Sequence, residues 1–172
     1  MSALVHAHGP ARWRILAAII ACISVVGLSL GMSVPLVSLV LERRGVDSQL
    51  IGLMAAMPSV GIFLVSARLP WLVRLCGMRG ALVGALAVAM SVLLLLPMFH
   101  SYWIWLLLRL TLGAADAVLF VVSETWINQV ADERSRGRSL ALYATTLSLA
   151  MAVGPLLLIL TGTEGALPFQ VG

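Results

Sequence analysis

The sequence predicts an all-α, multi-spanning membrane protein, and three observations support this fold class. Hydrophobic residues make up 61% of the 172 residues and charged residues 10%, whereas soluble domains average about 45–50% apolar and about 25% charged. The apolar residues fall in long runs, close to the ~20 residues that cross a bilayer as a helix. None of these runs alternates apolar and polar residues as a barrel strand does. A soluble enzyme, a nucleic-acid-binding protein and a disordered chain are therefore excluded.

Five apolar runs predict five transmembrane helices. Their approximate limits are residues 15–41, 48–67, 80–98, 102–130 and 139–161. Residues 1–14 are predicted to be a cytoplasmic N-terminal segment, and residues 15–172 to be one transmembrane domain. The first run is too long for the core of a signal peptide, so we expect a retained helix. A sixth apolar stretch begins near Leu167, from which we expect a truncated sequence rather than a natural five-helix protein.

The arginines predict the orientation of these helices. Eight of them flank the first helix and fill the second and fourth connections: Arg12, Arg14, Arg68, Arg74, Arg79, Arg134, Arg136 and Arg138. The opposite side has only Arg43 and Arg44. Because cytoplasmic loops are rich in basic residues, the N-terminus is predicted to be cytoplasmic. The five tryptophans lie near predicted helix ends, as aromatic belts do. The chain contains no lysine, which is typical of a GC-rich bacterium, so we expect the bacterial cytoplasmic membrane.

The fourth helix has three charged residues within one span: Arg109, Asp116 and Glu124. Each costs about 3 kcal/mol at the bilayer centre, and less toward the ends. At about 100° per residue, Asp116 lies about 20° and Glu124 about 60° from Arg109, so all three are predicted to face protein or water. Arg109 and Asp116 are about 10.5 Å apart along the axis, too far for direct contact. They form either a structural charge network or a substrate or proton site.

Glycines and prolines mark places where helices approach or bend. Gly27 and Gly31 have the spacing that permits close helix packing, and Pro35 is expected to bend the outer half of the first helix. Gly113 shares the charged stripe of the fourth helix. Gly154 and Pro155 interrupt the fifth helix, which is tolerated where neighbouring helices cover the free backbone groups.

These residues resemble the N-terminal half of a major facilitator superfamily transporter. The fourth helix is similar to the superfamily's Arg-x-x-x-Gly-x-x-x-Ala element, here Arg109, Gly113 and Ala117. The sequence from Ser123 to Trp126, followed by the Arg136-Gly137-Arg138 run, looks most like the YcaD-like branch.

Two further superfamily motifs match in part. The loop between helices two and three usually reads Gly-x-Leu-Ala-Asp-Arg-x-Gly-Arg-Arg. Here Leu72, Gly77 and Arg79 fit, and Arg74 occupies the position of the aspartate. In the fifth helix, Gly154-Pro155 fits an antiporter motif whose other glycines are absent, so antiport is not inferred.

The resemblance implies two six-helix bundles around a central cavity lined by helices one and four. It also implies alternating access of a small solute. Independently of the resemblance, the position of Asp116 about halfway along the fourth span predicts a substrate-specific or proton-binding site. Pathway candidates are Arg109, Asp116, Gly113 and Pro35. Candidates for a conformational switch are Gly77, Arg79, Glu124, Arg136, Arg138, Gly154 and Pro155. Glu124 is expected to pair with Arg79 or Arg138, and the missing C-terminal half is the expected partner, together with the lipid bilayer.

Two other functional classes remain to be weighed. An intramembrane enzyme would need a catalytic pair or a metal cluster, but the three histidines, His6, His8 and His100, lie outside the predicted spans. We therefore expect no enzyme activity, no cofactor, no metal and no nucleic-acid partner. A small helical scaffold or assembly protein without transport activity stays open as the alternative to a transporter.

Overall fold

The computed structural model describes residues 10–130 and 133–161, with side chains for residues 16–129 and 137–156. Within these ranges the chain forms five α-helices and no strand. They are α1 (Pro10–Arg43), α2 (Ser48–Ser66), α3 (Leu69–Leu95), α4 (Tyr102–Val130) and α5 (Glu133–Thr161). A 3₁₀ turn, Leu96–Met98, follows α3. Each α-helix contains a stretch long and apolar enough to cross a membrane. The predicted multi-spanning helical fold is confirmed.

Three helices begin earlier than predicted, among them α5, which begins at Glu133 rather than near residue 139. Helix α1 begins at Pro10, so part of the predicted segment 1–14 is helical. Helix α3 begins at Leu69 rather than near residue 80, and the prediction of a loop there was wrong. The apolar residues Leu69, Leu72, Val73 and Cys76 have the i, i+3, i+4, i+7 spacing of a helix. Gly77 interrupts α3 with φ 70° and ψ 168°, a conformation that is essentially restricted to glycine.

Helix α4 is the centre of the bundle, because it contacts α2, α3 and α1. Small residues bring its neighbours close. Gly113 lies directly against the backbone of Pro58 in α2, and Gly61 of α2 lies against the backbone of Leu110. Helices packed at glycine gain close van der Waals contact, which drives association inside a membrane.

Helix α1 packs mainly against α5. A Cβ atom added to Gly27 would lie 2.6 Å from the Cβ of Ala150, and one added to Gly31 would lie 2.5 Å from the carbonyl oxygen of Met151. Gly154 faces Gly31 in the same crossing. The expected close approach at Gly27 and Gly31 is thus present, and its partner is α5.

Contacts at the two ends of the bundle show which connections lie together. At one end Arg44 Nη1 donates a hydrogen bond to the carbonyl oxygen of His100 at 3.1 Å. The guanidinium carbon of Arg44 lies 4.7 Å from the centroid of the Trp105 ring, and Tyr102 donates to the carbonyl oxygen of Leu50 at 2.9 Å. At the other end the guanidinium carbon of Arg79 lies 5.8 Å from the Trp126 ring centroid. The α1–α2 and α3–α4 connections therefore share one end of the bundle, as the alternating topology requires.

The tryptophans do not all face lipid. Trp71 and Trp103 are 61% and 70% exposed, whereas Trp105 and Trp126 are 1% and 8% exposed. The buried pair lies under Arg44 and Arg79, so these two rings connect elements of the protein. Both rings lie near the ends of α4, as the sequence predicts, but they pack inside the protein. The side chain of Trp13 lies outside the described residues.

Candidate functional site

Four polar side chains are buried on the facing surfaces of α1 and α4. Arg109 and Asp116 of α4 have 1% and 4% of their surface exposed, and Ser29 and Ser33 of α1 have 1% and 4%. We call these four residues the polar cluster. It carries one cation, one anion and two hydroxyl groups, within helices that are otherwise mostly apolar.

A hydrogen bond joins the two helices at one end of the polar cluster. Arg109 Nη1 donates to Ser33 Oγ over 2.7 Å, across 76 residues of sequence. Helices α1 and α4 run in opposite directions, because successive spans alternate in direction and two spans, α2 and α3, lie between them. Ser33 therefore lies level with Arg109, and Ser29, one turn earlier, lies on the side of Asp116. Both α1 serines thus lie on the face of α1 that is turned toward the α4 charges.

The polar cluster still holds unpaired atoms. Arg109 Nε, Asp116 Oδ1 and Ser29 Oγ are buried without a hydrogen-bond partner in the described part of the protein. No ion pair within 4.0 Å joins Asp116 to Arg109 in this part of the protein. An unpaired buried donor or acceptor costs about 1–3 kcal/mol, and more when it is charged. The polar cluster therefore favours a bound group that supplies both an acceptor and a donor.

The buried stripe of α4 continues to Ser123 rather than to Glu124. Ser123 is 0% exposed and its Oγ has no partner among the described residues, whereas Glu124 is exposed. Measured from Arg109, Ser123 lies at about −40° and Glu124 at about +60° around the helix. Since Asp116 lies at about −20°, the buried face follows the sequence 109, 116, 123. The prediction that all three charges share this face was wrong for Glu124.

The remaining pathway candidates lie beside the polar cluster. Gly113 lies between Arg109 and Asp116 in the sequence and is buried, but it faces Pro58 of α2. Pro35 is half-buried in α1, two residues after Ser33, and α1 continues through it as one helix. Gly113 therefore sets the approach of α2 to α4, and its role in this structure is packing.

The switch candidates separate into two groups. Gly77 and Arg79 lie at the start of α3, at the same end of the bundle as Glu124. Among the described residues no ion pair joins Glu124 to Arg79 or Arg138, and Arg79 lies instead over Trp126. Arg138 is exposed near the start of α5, and the side chain of Arg136 lies outside the described residues.

Gly154 and Pro155 form the second group. Gly154 is buried against Gly31 of α1, where an added Cβ atom would lie 2.7 Å from the Gly31 carbonyl carbon. Pro155 is exposed. The pair therefore lies where α1 and α5 cross, rather than beside the other switch candidates.

Sequence reasoning found the two charges of the polar cluster but missed its serines. Hydroxyl groups in an apolar helix usually bond to their own backbone, as Ser24 and Ser38 of α1 do, so a serine alone is a weak signal. The available signal was that Ser29 and Ser33 are four residues apart and therefore share one face of α1. Within the described residues no group of three or more His, Cys, Asp and Glu side chains is placed to hold a metal ion.

Comparison with known proteins gives the family. The model of the Major Facilitator Superfamily matches residues 17–166, which is most of the chain. The chain belongs to the major facilitator superfamily. It is therefore a multi-pass membrane protein of a family of solute transporters, and the resemblance found in the sequence is confirmed.

A curated relative adds detail. The chain is 30% identical over 149 residues to the uncharacterized MFS-type transporter YfkF of Bacillus subtilis (strain 168). The alignment covers 87% of this chain and 38% of YfkF, so the chain spans well under half of that relative. No solved structure matches the chain. The YcaD-like branch is not assigned by these findings and stays a prediction.

Proposed function

We propose that this protein takes part in secondary active transport of a small solute across the bacterial cytoplasmic membrane by alternating access, and that the polar cluster binds the solute or a coupled proton. The observation that carries the proposal is the burial of Arg109 and Asp116 with unpaired polar atoms between α1 and α4. Ionisable groups inside a membrane are costly and commonly mark substrate or proton pathways.

The chemistry of each member suggests a division of roles. The guanidinium of Arg109, held by Ser33, offers Nε–H to an anionic or hydrogen-bond-accepting group of the solute. The Asp116 carboxylate, beside Ser29, offers an acceptor to a proton or to a cationic group. The two charges lie about 10.5 Å apart along α4. A group bound at one charge therefore changes the electrostatic field at the other charge, and the two bound groups do not compete for the same position.

Alternating access also needs contacts that break in one state and form in another. We propose that the contact between Arg79 and Trp126 breaks and forms in this way. It lies at the predicted cytoplasmic end of the bundle, the end at which the N-terminus is also predicted to lie. The scaffold alternative predicts no change in the distribution of any solute. A cellular experiment separates the two functions.

The test compares metabolite levels inside and outside cells that express the complete protein or single variants of it. Asp116→Asn and Arg109→Gln remove the charges of the polar cluster, while Glu42→Gln and Arg43→Gln make matched changes at exposed positions at the end of α1. We expect that expression of the wild type or of either control changes the distribution of at least one solute between cells and medium. Expression of either cluster variant should leave the distribution of that solute unchanged. If wild-type expression changes no solute, or if the cluster variants behave as the controls do, the proposal is wrong.

A further inference from the structure

Residues 69–76, the first part of α3, are not needed to cross the membrane. Gly77 separates them from the rest of α3 with a non-helical conformation. Residues 78–98 remain, which is about the 20 residues that a span requires. On the preceding side α2 (Ser48–Ser66) has 19 residues and forms a span of its own. Residues 69–76, which we call the surface helix, therefore lie at the membrane boundary.

The surface helix has two apolar sides. One side packs on the protein core through Leu69, which is buried, and through Leu72 and Val73, which are partly buried. The other side presents Trp71 and Leu75, which are 61% and 63% exposed. Exposing such side chains to water is unfavourable, whereas tryptophan is enriched where lipid headgroups meet acyl chains. The second side thus fits the membrane interface.

Positive charge surrounds this second side. Arg68 and Arg74 are exposed, and in the described part of the chain neither guanidinium takes part in an ion pair or a hydrogen bond. No aspartate or glutamate occurs in the sequence between Asp47 and Asp116. A guanidinium group matches the geometry of a phosphate and can bind it with two hydrogen bonds. The chemistry favours an anionic partner within the lipid headgroup layer.

We propose that the surface helix binds anionic phospholipids: Arg68 and Arg74 bind the headgroup phosphates, and Trp71 and Leu75 insert at the boundary of headgroups and acyl chains. The net charge of the headgroup selects the partner, because a basic residue near an anionic surface gains about 1 kcal/mol. This interaction does not depend on transport or on the polar cluster.

The native cysteine at the end of the surface helix allows a direct test. Cys76 is exposed and Cys22 is partly buried, so Cys22→Ser leaves Cys76 as the one cysteine of the 172-residue sequence. A fluorophore is attached to Cys76, and the protein is placed in phosphatidylcholine vesicles. The vesicles contain a quencher of the fluorophore, which is either spin-labelled phosphatidylglycerol or spin-labelled phosphatidylcholine. We expect stronger quenching by the anionic lipid and a smaller difference at high salt.

Arginine variants give the quantitative prediction. Arg74→Gln, and independently Arg68→Gln, should lower the preference for the anionic lipid by about fivefold, which is the ratio that about 1 kcal/mol produces. Arg43→Gln, at the other end of the bundle, should leave the preference unchanged. Equal quenching of the unsubstituted protein by the two lipids would overturn the proposal without any variant. An unchanged preference in both Arg68→Gln and Arg74→Gln, or quenching mainly by aqueous iodide, would also overturn it.

Discussion

The guanidinium of Arg109 is held in place from a neighbouring helix. Its Nη1 donates to Ser33 Oγ over 2.7 Å, and both side chains are buried. Hydrogen bonds to charged groups contribute about 1.5–3 kcal/mol, and a buried donor left unpaired adds its own cost. This contact is therefore one of the strongest single links between α1 and α4.

Removing the hydroxyl group tests that link. We predict that Ser33→Ala lowers the free energy of unfolding by about 1–3 kcal/mol, measured by unfolding in mixed micelles with SDS. The matched control is Ser91→Ala on α3, where the hydroxyl is exposed and bonds only to the Ala87 carbonyl of its own helix. Equal losses in the two variants would show that the Arg109–Ser33 bond contributes no specific stability.

A second residue-scale prediction concerns the end of the bundle where Arg79 lies over Trp126. A cation–π contact of this kind contributes about 0.5–1 kcal/mol at exposed sites. A double-mutant cycle with Arg79→Gln and Trp126→Leu should give a coupling energy of that size. The cycle with Arg79→Gln and Glu124→Gln should give a coupling energy near zero. A larger coupling of Arg79 to Glu124 than to Trp126 would contradict this and would support the ion pair expected from the sequence.

Charges in the polar cluster were more predictable from sequence than its hydroxyl groups. Arg109 and Asp116 stand out because a charge in an apolar span requires an explanation. Ser29 and Ser33 do not, since a serine in a helix can satisfy itself on its own backbone. Glu124 was placed wrongly because an offset of about 60° was taken as the same face, and the buried face turns the other way toward Ser123.

Packing between elements depends on glycines at helix crossings. At the α1–α5 crossing, Gly31 faces Met151 and Gly154 faces Gly31. The backbones come so close that there is no room for a methyl group. The energy of this crossing is therefore dispersion between backbone atoms, which a single added carbon disrupts.

The corresponding prediction is that Gly31→Ala lowers the free energy of unfolding by about 1–3 kcal/mol through overpacking. Gly84→Ala on α3 is the control, because nothing lies within 4 Å of an added Cβ atom there. Alanine is the better helix former by about 1 kcal/mol, so this control should be neutral or stabilising. A loss in Gly84→Ala as large as in Gly31→Ala would contradict the close crossing.

The sequence predicted the existence of the elements better than their limits. Apolar runs are a strong signal in a membrane protein, and each of the five contains a helix. The start of α3 was missed because Arg68, Arg74 and Gly77 together are typical of a loop. The helical spacing of Leu69, Leu72, Val73 and Cys76 was present in the same segment, but the two arginines and the glycine were given more weight.

At the scale of the whole molecule, the distribution of arginines between the connections predicts the orientation of the helices in the membrane. The α1–α2 and α3–α4 connections lie at one end of the bundle, and the Arg79–Trp126 contact lies at the other. Because the arginine-rich connections are at that other end, we propose that it faces the cytoplasm.

Reporter fusions test this orientation. Fusions after Gly45 and after His100 should report an exterior location, and a fusion after Gly77 an interior location. The physical reason is the eight-to-two distribution of arginines, since basic loops are retained in the cytoplasm. An exterior signal from the fusion after Gly77 would contradict the proposed orientation while leaving the helical fold intact.

The central claim is that the polar cluster between α1 and α4 binds what the protein transports. The buried charges, their unpaired atoms and membership of a transporter superfamily support it together. Asp116 is the sharpest position to test, because replacing its carboxylate by an amide keeps the shape and removes both the charge and the titration.

The most direct measurement is the transport rate of the complete protein in vesicles as a function of pH, with the solute found by the cellular comparison. Asp116→Asn should abolish transport or remove the dependence of its rate on pH, while Glu42→Gln should keep the wild-type rate and profile. Folding of each variant is checked by its unfolding transition. If folded Asp116→Asn transports at the wild-type rate with the wild-type pH profile, Asp116 is only a structural charge, and the account of the polar cluster is wrong.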